Sequence, residues 1–120
     1  MINTLKVFFK GCEQSRIIFE SIRSAMDAIG PTELRISKSQ IAFWRRKVVA
    51  RVWLPARYLK GRMALLVLTL GFPYRDTSPR WKEIVEPTPG RFTHHLELHS
   101  IDDLDQQVRD WMREAWQNAA

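Results

Sequence analysis

Three histidines, one cysteine and a run of arginines interleaved with tryptophans are the residues of this sequence that could do chemistry. His94, His95 and His99 sit in the alternating stretch Phe-Thr-His-His-Leu-Glu-Leu-His, which reads as a strand. Successive side chains of a strand point to opposite faces, so His94 joins Phe92, Leu96 and Leu98, while His95 joins Thr93, Glu97 and His99. The first set is a core face, and a buried, hydrogen-bonded imidazole is expected at His94. The second set could offer Glu97 and one histidine to a cation. Neighbours along one strand face lie roughly 6–7 Å apart, and a transition-metal site needs three or four convergent ligands. No second His or Cys cluster supplies the remainder, so no metal ligand and no cofactor is expected. Cys12 falls near a predicted helix start, where a thiolate would be stabilised, but nothing in the sequence places a base beside it. The five glycines are scattered, without the spacing of a phosphate loop. Asp102, Asp103 and Asp105 cluster where a helix begins, and capping accounts for them. No catalytic residue is assigned.

The arginine–tryptophan run is the stronger chemical signal. Residues 38–54 form the most β-prone segment of the chain and also its most basic one, and they hold Trp44 and Trp53, two of the five tryptophans. If Ile41 and Phe43 face a core, alternation puts Trp44, Arg46, Arg51 and Trp53 on the opposite face, where His95, Glu97 and His99 of the last strand can join them, with Arg91 a further binding candidate. Guanidinium groups bind phosphates through paired hydrogen bonds, and indole rings stack on bases. Such a face suits an anionic ligand or nucleic acid. The charge distribution agrees: residues 31–62 carry nine Lys/Arg against one Glu, while 101–120 carry five acids against two arginines, within a net charge of +6. The plainer reading is that these charges keep exposed strands soluble and unpaired. On that reading Trp44, Trp53, Leu65 and Val67 are covered, either by the 71–90 loop or by a second subunit. A slip of one residue or a bulge at 45–47 would exchange the two faces.

The elements that must position these residues are legible in part. Leu5, Phe8 and Phe9 suggest a short helical turn ending near Gly11. From Glu13, the apolar residues Ile18, Ile22, Met26 and Ile29 recur at helical spacing, with Phe19 beside them, and Gly30-Pro31 ends that helix, Gly by permitting a left-handed cap. Four to five mainly antiparallel strands follow: one at Leu34 and Ile36, a hairpin over 41–53 with its tip at 45–47, an apolar strand at 63–70 and a last strand at 91–99. The 63–70 segment is apolar on both parities and therefore reads as central. Four prolines make 71–90 a long loop, with room for a strand at 81–85. Leu104, Val108, Trp111, Met112 and Ala115 form the stripe of a C-terminal helix, capped by Asp102 or Ser100. The expected fold is α+β, a single domain over 1–120 with both helices on one face of the sheet.

Several of these motifs together resemble a family of small bacterial domains catalogued as domain of unknown function 5655, sometimes labelled "predicted transport protein". The residues that carry the resemblance are Phe8-Phe9-Lys10-Gly11, Lys38-Ser39-Gln40-Ile41-Ala42-Phe43, Pro87 with Gly90-Arg91-Phe92-Thr93-His94-His95, Asp102-Asp103-Leu104-Asp105 and Trp111-Met112-Arg113-Glu114-Ala115. It covers nearly the whole chain. More distantly, the chain is similar to YdhG-like and MmcQ/YjbR-like domains, the latter often labelled DNA-binding. The resemblance implies a helix–sheet–helix layout and transfers no catalytic residue to any position here.

Length, charge and cysteine usage bound the function. At 120 residues one hydrophobic core can form without metal or disulfide. The longest apolar run, 63–68, is far short of the roughly 20 residues that span a bilayer, so no membrane partner is expected. A lone cysteine and the lack of a signal-peptide pattern suggest a cytoplasmic protein. Function stays unknown at this stage. The first expectation is a non-enzymatic binding module using the basic-aromatic face. The alternative is a homodimer that buries that face, and the third reading is a small enzyme centred on His94 or His95 with Arg91.

Overall fold

A computed structural model gives the fold and describes residues 4–58 and 60–120. In chain order the elements are α1 (Leu5–Phe8), α2 (Glu13–Ile29), β1 (Glu33–Ile36), β2 (Ile41–Trp44), β3 (Val48–Trp53), β4 (Leu66–Phe72), β5 (Glu83–Thr88), β6 (Arg91–Leu98) and α3 (Gln106–Asn118), with 3-10 turns at Pro55–Arg57 and Ile101–Asp103. The strands form one antiparallel sheet in the order β1-β2-β3-β4-β6-β5. Helix α3 packs on β3 and β4, and α2 packs on β4 and α3.

The core lies between the helices and one face of the sheet. Phe19, Ile22 and Met26 of α2 meet Ile41, Phe43, Ala50, Val52, Leu68 and Leu70, and Val108 and Met112 of α3 close the layer. Phe9, Phe19 and Phe43 run through it as a chain of rings with centroids 5.2 and 5.9 Å apart. Each of these side chains is nearly or fully shielded from water, and burying a large apolar side chain stabilises by about 1.5–3 kcal/mol. The strand parity expected for Ile41 and Phe43 is therefore the observed one.

Four details differ from the expectation. The sheet has six strands, because β5 is a full strand beginning at Glu83, while Trp81 packs instead on Trp111 of α3, with centroids 4.2 Å apart. The central strand begins at Leu66 rather than at 63. Helix α3 is capped by Asp105, whose carboxylate accepts from the Val108 N–H, whereas Ser100 caps the preceding 3-10 turn. Gly30 ends α2 with an extended φ of 170°, so no left-handed cap is made. What excludes a side chain at Gly30 is the Trp116 ring, which would lie 2.3 Å from an added Cβ.

The 73–82 loop folds over the helix side of the sheet. Its anchor is Arg80, which donates to both carboxylate oxygens of Asp105 at 2.9 Å, to Gln107 Oε1 at 2.9 Å and to the Asp103 carbonyl at 3.1 Å. This hydrogen-bonded arginine holds the Asp105 carboxyl below the usual carboxylate range. A carboxylate whose pKa is depressed by folding contributes stability above about pH 4 that is lost as pH falls through its folded value. Arg80→Met is expected to lower stability by about 1 kcal/mol at pH 7, since the pair is partly solvated. Urea midpoints at pH 7 and pH 3 check this: the difference from wild type should shrink at the lower pH, and a gap that persists at pH 3 would exclude the ion pair as its source.

Candidate functional site

The sheet face turned away from the helices carries the residues that could bind a ligand. One register row crosses all six strands on that face: Arg35, Ala42, Arg51, Thr69, His95 and Glu83 lie opposite one another in turn. Charge along the row runs from basic at β1 and β3 to acidic at β5. The next row places Trp53, Val67 and Glu97 side by side, and Glu97 is paired with Lys82 at 3.4 Å. So the positive potential belongs to the β1–β3 half.

At one end of this face the surface opens into a groove of about 630 Å³. Trp44, Arg46, Lys47, Arg51 and Arg91 line it, and its floor is Thr69, Gly71 and Thr93. The lining continues round the end of the sheet to Ala115, Asn118 and Ala119 of α3, on the helix side. No carboxylate, histidine or cysteine is among the described lining residues. Gly71 lines the groove without a side chain. It stands opposite Thr93 within β4, and a Cβ added there would meet nothing within 4 Å.

The hairpin tip that carries Arg46 has no Gly or Asn to favour a tight turn. It is held from outside instead. The Arg46 N–H donates to the Ala119 carbonyl at 3.1 Å, and Arg45 donates from Nη1 to the Trp116 carbonyl at 3.0 Å. The Arg45 guanidinium also lies 3.6 Å from the centroid of the Trp116 ring, and Trp116 Nε1 donates to the Pro31 carbonyl at 3.1 Å. A cation over the last carbonyls of a helix is favoured by the helix dipole. Arg45 is thus spent on structure, which leaves its neighbour Arg46 exposed at the groove mouth.

A bulge accompanies the tip. Phe43 faces Ala50 while Trp44 faces Val48, so Val49 is the extra residue. Strict alternation makes Val48 a core residue. The structure buries Val49 instead and leaves Val48 half-exposed. Because the irregularity is confined to that end of β3, Arg51 and Trp53 keep their expected face.

Of the six residues expected to bind, Trp44, Arg46, Arg51 and Arg91 come together at the groove. Trp53 lies on the same face but further along β3, where it approaches Tyr58 with centroids 6.1 Å apart. His95 is half-buried beside the groove, with Nδ1 2.8 Å from Thr69 Oγ1, and burial lowers its pKa. Lys47, Thr69, Gly71 and Thr93 were not anticipated. The only sequence signal was Gly71, since a glycine inside a strand often marks a place of close approach.

His94 is fully buried, as expected from its parity. Its Nδ1–H donates to the Phe92 carbonyl at 3.1 Å and its Nε2 accepts from the Asp76 N–H at 3.0 Å. That pairing holds one neutral tautomer, and burial lowers the pKa. With both ring nitrogens engaged inside the core, His94 reaches no cleft and cannot serve the enzyme reading.

The loop cover does not take the form expected. Within the loop, Asp76, Arg80 and Trp81 seal the His94 side, while Pro73 lines the candidate groove. The open-face members of β4 are Val67, Thr69 and Gly71, and the first two are already buried between their lateral neighbours Trp53, Arg51, Glu97 and His95. Among the described residues no helix is long and apolar enough to cross a membrane, and no group of three His, Cys, Asp or Glu side chains is placed to share a metal ion.

No curated protein and no solved structure matches the chain. A match to the family described as "Domain of unknown function (DUF5655)" runs over residues 6–119, nearly the full length, and the chain belongs to that family.

Proposed function

We propose that this chain is a non-enzymatic binding module whose groove takes a phosphate-bearing ligand with a flat ring. The observation that carries this is the convergence of Arg46, Lys47, Arg51 and Arg91 with Trp44 around one groove whose described lining includes no carboxylate. Arginines placed around a concavity offer paired N–H donors to phosphate oxygens, and Trp44 supplies a stacking surface. The Arg35 guanidinium lies over one face of that ring, 4.0 Å from its centroid, so a ligand ring takes the other face or displaces Arg35. Among the described lining residues there is no imidazole, thiol or carboxylate to act as base or nucleophile, which is why binding rather than turnover is proposed. A cytoplasmic setting, rich in phosphorylated molecules, suits a chain with a single free thiol.

Thymidine monophosphate and inorganic phosphate are suitable probes, titrated by calorimetry at low salt. Arg46→Glu together with Arg91→Glu changes two exposed side chains, and each charged hydrogen bond removed is worth about 1.5–3 kcal/mol. The pair should weaken thymidine monophosphate at least tenfold. Gly71→Leu should block the groove while leaving thermal stability unchanged or raised, because it adds a side chain into open space on a strand. Nucleotide binding that survives both changes would remove the groove from consideration.

A further inference from the structure

The face holds a second aromatic station that the groove does not use. Trp53 projects on the same side as Trp44 and Arg51, and the Tyr58 ring beside it is 58% exposed. Building on the phosphate-groove reading, we infer that the ligand is single-stranded nucleic acid lying along β3, with one base at Trp44 and another at Trp53 and Tyr58.

Spacing supports this. Trp44 lies opposite Val48, and Trp53 is the far end of the same strand. At about 3.3 Å per residue the two indoles are anchored roughly 16 Å apart along the strand, a distance of about three to five nucleotides when phosphates recur every ~3.4 Å or somewhat more. Arg51 stands between the stations, and β2 and β3 contain no acidic residue. Exposed Arg46 and Lys47 extend the basic track at one end.

Electrostatics sets the direction. A polyanion crossing the sheet would run from Arg35 and Arg51 toward Glu83, and past Trp53 toward Glu97. Like charge opposes that path and leaves the course along β3. A mononucleotide fills one station only and leaves Trp53 and Tyr58 idle. A duplex hides its base faces and offers nothing to stack on either ring, whereas unpaired bases present a π-face at each step.

The test is fluorescence anisotropy with labelled oligothymidylates of two, four, six and ten nucleotides, beside a ten-base-pair duplex and the thymidine monophosphate titration. Affinity should rise at least tenfold from two to six nucleotides and little thereafter, and should fall steeply with salt. Trp53→Ala and Tyr58→Ala should each weaken the six-mer about fivefold or more, given the usual worth of a stacked base, and leave thymidine monophosphate unchanged. Tyr58 is exposed enough that its variant keeps the test open should Trp53→Ala fail to fold. Trp44→Ala should weaken both ligands. Mononucleotide binding without any gain on lengthening overturns the strand proposal alone, as would equal binding of the duplex or an indifferent Tyr58→Ala. No binding of thymidine monophosphate at all would bring down the groove reading beneath it.

Discussion

His94→Ala should lower the unfolding free energy by about 3–5 kcal/mol, because it opens a cavity and removes hydrogen bonds in one step. The imidazole is enclosed by Phe72 and Trp81, whose ring centroids both lie 4.9 Å from its own. Its Nε2 is the acceptor for the Asp76 N–H, and Asp76 in turn accepts from Trp81 Nε1 at 2.8 Å. Removing the ring therefore unties the 73–82 loop from the sheet as well as emptying its site. Urea denaturation of the two proteins measures the loss, and a difference under 1 kcal/mol would show that the site collapses without penalty. Wild-type stability should also depend on pH through this residue. Burial lowers the pKa of His94, and that of His95 in the same sense. A base with a depressed folded pKa contributes stability that is complete above its unfolded value, near 6.5, and is lost as pH falls from there toward the folded value. Each such group gives a slope of up to about 1.4 kcal/mol per pH unit below pH 6.5. The alanine variant should show a shallower slope than wild type between pH 7.5 and 5.5. Equal slopes would mean that His94 titrates alike folded and unfolded.

Gly30→Ala should destabilise by about 1–3 kcal/mol, the usual range for overpacking, even though alanine is normally favoured over glycine. The backbone at Gly30 is extended and strains no residue type. The obstacle is the Trp116 ring, with three of its atoms between 2.3 and 2.9 Å from the new Cβ. Trp116 cannot turn away freely, since its Nε1 donates to the Pro31 carbonyl and its face is covered by Arg45. Those same contacts fasten the hairpin tip to α3. The variant should accordingly loosen the groove mouth at Arg46 and weaken thymidine monophosphate, an effect no change of helix propensity would produce. Trp116→Ala removes the obstacle, so Gly30→Ala in that background should cost almost nothing. A double-mutant cycle on urea midpoints reads the coupling directly. Additive effects would place the cost of Gly30→Ala somewhere other than the indole.

These two residues show how far sequence reasoning reached. His94 was assigned to the core because its parity matched Phe92, Leu96 and Leu98, and its neutral, doubly bonded state follows from that place. Gly30 was recognised as a helix end for a reason that does not hold here. Its partner is Trp116, far along the chain, and no local pattern records that approach. The basic-aromatic residues divide in the same way. Alternation over 41–53 sorted Arg51 and Trp53 from Val52 and Phe43 correctly, because a buried face forces period 2. It failed at Val48 and Val49, where one extra residue in the bulge changes the parity. Six strands rather than four to five emerged because Pro87 lies at an irregular place in the edge strand β5, and proline there reads as loop.

By itself the sequence determined the class of fold, the two long helices, the core faces of the central strands and the confinement of positive charge to one half of the sheet. These depend on local periodicity and composition, which the chain carries residue by residue. Only the tertiary structure decided where the 73–82 loop lies, what holds the hairpin tip and which candidates share a groove. Arg91 lines the same groove as Arg46 and Arg51 because β6 pairs with β4 and β4 with β3. Arg46 is presented because α3 ends beside the tip and takes Arg45 as its counter-charge. Gly71 becomes a groove floor because the strand register sets it among longer side chains. Each of these contacts joins segments distant in sequence, and their partners are chosen by packing and register, which no single stretch encodes.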